Sequence, residues 1–83
     1  MQNEVHFLID EIVEELRKLL PEAEVYSRMV RYDGEHAVIF EVYKDEEKYG
    51  NRYKLSKINM SSYKKIALNF YNHIKNYSKE GLL

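Results

Sequence analysis

The feature that most constrains the fold is the dipeptide Asp33-Gly34, which lies between two runs rich in Val, Ile, Tyr and Phe. A two-residue type I′ turn needs positive φ at both central positions, and Asp-Gly adopts such a turn readily. The sequence therefore predicts a β-hairpin with strands at residues 23–32 and 35–44. The short turn also sets the register, because it pairs Tyr32 with Glu35.

Side chains that alternate along the two strands give the hairpin two different faces. One face is apolar enough to form a core, and it comprises Val25, Ser27, Met29, Val38, Phe40 and Val42. The other face is only half polar and is predicted to stay open. Its candidate interface residues are Tyr26, Arg28, Tyr32, Ile39 and Tyr43.

Two segments around the hairpin carry apolar residues at helical spacing. These are residues 3–20, which Pro21 ends, and residues 61–79. A short third strand is predicted at residues 52–58, after a turn at Tyr49-Gly50-Asn51. The 83 residues thus predict a single α+β domain (1–83). We expect a two-layer sandwich in α-β-β-β-α order, a three-stranded antiparallel meander with both helices on one face.

Several functional classes are disfavoured by composition. There is no cysteine, no signal-peptide pattern and no apolar run near the roughly 18 residues of a membrane span. We therefore expect a cytoplasmic protein with no membrane contact. His6 and Asp10 share a helix face, but two ligands do not make a metal site. Without a nucleophile motif or phosphate loop, we predict no catalytic residue, no metal, no cofactor and no enzymatic activity.

The net charge of −1 hides a strong asymmetry along the chain. Residues 1–51 carry six basic and thirteen acidic residues, whereas residues 52–83 carry seven basic and one acidic residue. A positive patch beside the free amides of a helix start, here residues 61–63, is where phosphates bind. The alternative, which stays open, is that the bases pair with acids of the first helix. The candidate nucleic-acid contacts in this part are Lys54, Lys57, Lys64 and Lys65.

The open face offers a second candidate surface. Aromatic sheet faces stack the bases of single-stranded RNA, and they also bury against other proteins. Because Tyr and Arg are enriched at protein interfaces, the composition favours the protein contact. The rival function is therefore a protein–protein interaction module. It would act as a homodimer through the open face, or as a small inhibitor of the kind mobile elements encode, with its acidic first helix imitating nucleic acid.

Two short motifs lie at and after the hairpin turn, and a third opens the last helix. They are Gly34-Glu35-His36, Phe40-x-Val42 and Lys64-Lys65-Ile66-Ala67. Together with the element order, they resemble the double-stranded-RNA-binding domain, whose loop reads Gly-Pro-x-His and whose last helix opens Lys-Lys-x-Ala-Lys. The loop here has no proline and is one residue shorter than the loop of that family. Leu68 stands where the family has the third lysine of its helix motif.

This resemblance implies that His36 enters a minor groove while Lys64 and Lys65 contact phosphates across the adjoining major groove. We therefore predict a small non-enzymatic binding module that contacts nucleic acid, foremost structured RNA. The contacts would come from the basic last strand and second helix, with His36 as a further contact.

Overall fold

The computed structural model describes residues 2–81, with side chains for residues 4–76. The elements are α1 (Gln2–Leu19), β1 (Glu24–Tyr32), β2 (Glu35–Lys44), β3 (Glu47–Lys54), a 3-10 helix (Leu55–Lys57) and α2 (Tyr63–Gly81). The predicted α-β-β-β-α order is confirmed. The strands form one antiparallel meander in the order β1-β2-β3, and both helices pack on one face of it.

The β1–β2 hairpin has the predicted register. Asp33 and Gly34 have φ of 55° and 77°, as a type I′ turn requires. Tyr32 lies opposite Glu35, and Val25 lies opposite Val42. We call the sheet end with this turn the tip and the other end the base. The helix face is the side on which α1 and α2 pack, and the open face is the opposite side.

The third strand differs from the prediction. It spans Glu47–Lys54 instead of residues 52–58, because the chain reverses at Asp45-Glu46. Both turn residues have positive φ, 52° and 67°, which is uncommon for residues other than glycine. Gly50, which predicted a turn, lies instead within β3 opposite Glu41. After Lys54 the chain forms the 3-10 helix and does not continue as a strand.

The core lies between the helix face and the two helices. Burial of each large apolar side chain contributes about 1.5–3 kcal/mol, which holds the layers together. The largest fully buried side chains are Phe40, Phe70, Leu8, Ile12, Leu16, Ile74, Val25, Val38 and Val42. Met29, which alternation predicts as core, is 44% exposed. The reason is that the helix layer covers Val25, near the base, but leaves Ser27 and Met29 uncovered.

Candidate functional site

The basic residues predicted to contact nucleic acid lie where β3 ends at the tip of the sheet and on the elements that follow it along the chain. Lys54 ends β3 there, and Lys57 ends the 3-10 helix that follows it. Lys64 and Lys65 stand in the first turn of α2, just after Tyr63. His36 is the second residue of β2 and therefore lies beside the Asp33-Gly34 turn. All of these side chains except the half-buried Lys54 are exposed.

Lys54 differs from the other lysines in its environment. It lies on the open face, because it is paired with Ala37 across the sheet. Its ammonium nitrogen is 3.0 Å from the Glu35 carboxylate and 3.9 Å from that of Asp33. The acids of the hairpin turn thus offset the charge of Lys54, so it is a weaker candidate for a phosphate contact than Lys57, Lys64 or Lys65.

The other three lysines keep their charges uncompensated within the described part of the chain. Among the side chains of residues 4–76, no carboxylate lies within 4.0 Å of the Lys57, Lys64 or Lys65 ammonium. The ion pair described for an α1 acid joins Glu14 to Arg17, at 3.1 Å within the same helix. Neutralisation of these lysines by α1, the alternative considered above, is therefore not seen among these side chains.

The segment between the 3-10 helix and α2 is closed by its own hydrogen bonds. The Ser62 hydroxyl donates to the Lys57 carbonyl at 2.8 Å and accepts from the Asn59 amide at 3.0 Å. The Asn59 side-chain oxygen accepts from the Ser61 amide at 2.9 Å. We call this arrangement of residues 57–62 the latch. It ties the backbone of Lys57 to the start of the helix that carries Lys64.

The latch also corrects the predicted phosphate contact. The amides of residues 61, 62 and 63 all donate to Asn59, to its side-chain or its carbonyl oxygen. They are therefore not available to a ligand, and that prediction is wrong. Within the described residues, the amides of Lys64 and Lys65 donate to no acceptor. These are the free donors of the first helical turn, and that turn carries no acidic side chain.

Arg31 is a residue at the tip that sequence reasoning missed. It lies directly opposite His36 on the helix face, and both side chains are exposed. The register of the predicted hairpin is the sequence signal that places Arg31 beside His36.

The predicted interface residues share the open face, as the register required. Tyr26, Tyr32 and Tyr43 are 48%, 42% and 38% exposed, and Ile39 is half-buried between them. The rings of Tyr26 and Tyr43 meet edge to face, with centroids 5.8 Å apart. The Arg52 guanidinium lies 3.4 Å from the centroid of the Tyr32 ring. Because β2 separates these two strands, Arg52 must cross the sheet to reach that ring.

A buried carboxylate lies at the centre of the open face. Glu41 is 8% exposed, and its oxygens lie 3.1 Å from the Lys48 ammonium and 3.5 Å from Arg28. The hydrogen bond from Lys48 holds the pKa of Glu41 below its usual value, and the charge of Arg28 adds to this effect. Gly50 lies opposite Glu41 across the sheet.

Neither a metal-binding cluster nor a membrane-spanning helix is found in the described part of the chain. There, no three His, Cys, Asp or Glu side chains converge on a point that could hold a metal ion. No helix in that part is long and apolar enough to cross a membrane.

Comparison of the chain with protein-family models, curated proteins and solved structures found no match. The element order and three-stranded sheet agree with the fold of the double-stranded-RNA-binding domain. Shared topology carries no function by itself, so any function has to be argued from the residues at the tip and on the open face.

Proposed function

We propose that the protein is a small binding module that contacts structured RNA through the tip of its helix layer. The observation that carries the proposal is the exposure of Lys57, Lys64 and Lys65 on two elements that the latch joins, the 3-10 helix and the first turn of α2. Among the described side chains, no carboxylate lies within 4.0 Å of their ammonium groups. The free amides of Lys64 and Lys65 add two donors at the positive end of α2.

The position of His36 favours duplex RNA as the ligand. A-form RNA presents a shallow minor groove with 2′-hydroxyls, flanked by phosphates across a deep major groove. A histidine beside the turn at the tip and a pair of lysines at a helix start match these two features. Lys54 plays a smaller part in this proposal, because Glu35 and Asp33 already hold its ammonium.

The test is titration of a fluorescent RNA duplex of at least about 16 base pairs at several salt concentrations. Three lysine–phosphate contacts predict a slope near −2.7 in a plot of log affinity against log salt, at about 0.9 per contact. Between 50 and 200 mM salt, the affinity should therefore fall by about fortyfold. Absence of binding at the lower salt concentration would refute the proposal.

A charge-reversal variant locates the surface. Lys64→Glu combined with Lys65→Glu should abolish binding while preserving the fold, because acids suit the first turn of a helix. The matched control is Lys18→Glu with Lys75→Glu, which changes the net charge equally at two other exposed lysines. If the control variant loses as much affinity as the first, binding depends on net charge and the tip is not the site.

A second candidate function is protein binding through the open face, which the exposure of Tyr26, Tyr32 and Tyr43 favours. Sedimentation of the wild-type chain and of a Tyr43→Ala variant tests it for self-association. Loss of association in the variant supports this surface, and equal association of both chains excludes it.

A further inference from the structure

The outer edge of β1 is exposed and largely uncapped. Since β2 is the central strand, β1 is an edge strand. The Arg17 guanidinium donates to the Val25 carbonyl at 3.1 Å, so the polar backbone groups of Val25 point to the outer edge. Backbone groups alternate between the two sides along an antiparallel strand. Those of Ser27, Met29 and Arg31 therefore point outward as well.

Edge strands are normally protected by charges, prolines, bulges or a covering element. In β1, Arg17 caps Val25, but no hydrogen bond from the described residues reaches the outward groups of Ser27, Met29 or Arg31. All three side chains are exposed, and Met29 presents an apolar surface in the middle of the row. An uncapped edge with an apolar centre is suited to pairing with another strand.

We propose that β1 pairs with β1 of a second copy of the chain, antiparallel about a two-fold axis at Met29. Met29 then lies opposite its own copy, and Ser27 lies opposite Arg31 of the second copy. The three outward-facing pairs exchange two hydrogen bonds each, and the two sheets become one continuous sheet. The Val25 carbonyl, which Arg17 already occupies, is not required.

The side chains on the open face fit this register. It places Tyr26 beside Tyr32 of the second copy, and Arg28 beside Val30. A register with the axis at Arg28 would instead set two arginines directly opposite each other, which is destabilising. It would also bring Arg31 against Val25, whose carbonyl is bonded to Arg17. The axis at Met29 avoids both conflicts.

Charge complementarity identifies the occupant of this edge as a second copy. A groove of about 390 Å³ separates α1 from the edge of β1, and it is lined by Asp10, Val13, Glu14, Arg17, Val25, Tyr26 and Ser27. Arg31 of the second copy, opposite Ser27 on the helix face, is positioned to enter this groove beside Asp10. Among the side chains of residues 4–76, no base lies within 4.0 Å of the Asp10 carboxylate. Because the dimer has two-fold symmetry, this contact between Arg31 and Asp10 forms twice.

The first experiment is sedimentation velocity on the whole chain and on Met29→Lys. The variant sets two ammonium groups opposite each other on the edge, so the dimer dissociation constant should rise by about tenfold or more. Met60→Lys is the matched control, because Met60 is 61% exposed and lies outside β1. It should leave the dissociation constant unchanged. A parallel loss of dimer in both variants would overturn the proposal.

The second experiment exchanges the charges of the proposed contact. Arg31→Glu alone and Asp10→Lys/Glu14→Lys alone should each be monomeric, since each sets like charges face to face. An equimolar mixture of the two should form a heterodimer, because both contacts then join opposite charges. Hydrogen exchange on the wild-type chain should show protection of the Ser27, Met29 and Arg31 amides that increases with protein concentration.

Three further outcomes overturn the proposal. The first is a wild-type chain that stays monomeric at about millimolar concentration, where even weak dimers assemble. The second is a mixture of charge-exchanged chains that does not associate. The third is a dimer whose β1 edge amides remain unprotected, which would place the contact on the open face. All three are independent of RNA binding, since Lys57, Lys64 and Lys65 are untouched.

Discussion

Substitution of two glycines by alanine should change stability in opposite directions. Gly34 has φ of 77°, and a Cβ added there meets no atom within 4 Å. The cost is therefore that of the backbone alone, about 1–2 kcal/mol for an L-residue in the left-handed region. Alanine also stabilises the fold by about 0.4–1 kcal/mol, because it reduces the conformational entropy of the unfolded chain. The net result for Gly34→Ala is a destabilisation of about 1 kcal/mol.

Gly50 is in the opposite situation. It has no positive φ, and the nearest atom to an added Cβ is the Phe40 carbonyl oxygen at 3.9 Å, which is ordinary van der Waals contact. Gly50→Ala thus keeps the entropy gain without the backbone cost, and it should stabilise the fold by about 0.4–1 kcal/mol.

Equilibrium urea unfolding followed by circular dichroism measures both effects. In thermal unfolding, 1 kcal/mol corresponds to about 4–8 °C in a domain of this size. Gly34→Asn is the control, since asparagine tolerates positive φ and should cost less than alanine. The reasoning is refuted if both alanine variants shift stability in the same direction, or if Gly34→Asn is as unstable as Gly34→Ala.

Three further predictions concern the open face and the latch. Glu41→Gln should lower the free energy of unfolding at neutral pH, because the pKa of Glu41 is depressed in the folded state. The difference in stability between the two proteins should shrink as the pH falls below the usual pKa of 4.5, and it should disappear below the depressed pKa. Urea unfolding at several pH values measures this difference. A double-mutant cycle of Arg52→Ala and Tyr32→Ala should give a coupling of about 0.5–1 kcal/mol, and zero coupling would contradict the stacked geometry. Ser62→Ala should cost about 1 kcal/mol in urea unfolding and accelerate hydrogen exchange of the Asn59 amide, whereas an unchanged exchange rate would show that the latch does not protect it.

The hairpin was predictable because every signal for it is local. Asp33-Gly34 specifies its own turn, and a turn of two residues leaves one register for the strands on either side. The tyrosines of the open face followed from that register without any tertiary information. Met29 did not, because its exposure depends on how far the helix layer extends over β1.

The base turn and the latch depend on contacts that no local pattern reports. Asp45-Glu46 adopts positive φ at two residues that ordinarily avoid it, so Gly50 looked like the better turn. Similarly, Asn59 accepts the Ser61 amide through its side-chain oxygen and the amides of Ser62 and Tyr63 through its backbone carbonyl. The sequence predicts Lys64 and Lys65 at a helix start, but which amides of that turn remain free depends on these hydrogen bonds of Asn59.

The latch has a kinetic consequence for the proposed RNA contact. Because residues 57–62 are already held by the Ser62 and Asn59 hydrogen bonds, binding does not require this loop to fold onto the ligand. At the lysine contacts, only side chains would then lose freedom when the complex forms. Association should therefore run at the rate of electrostatically steered encounter, with no slow ordering step. An increase in salt concentration would then weaken binding mainly by lowering the association rate constant.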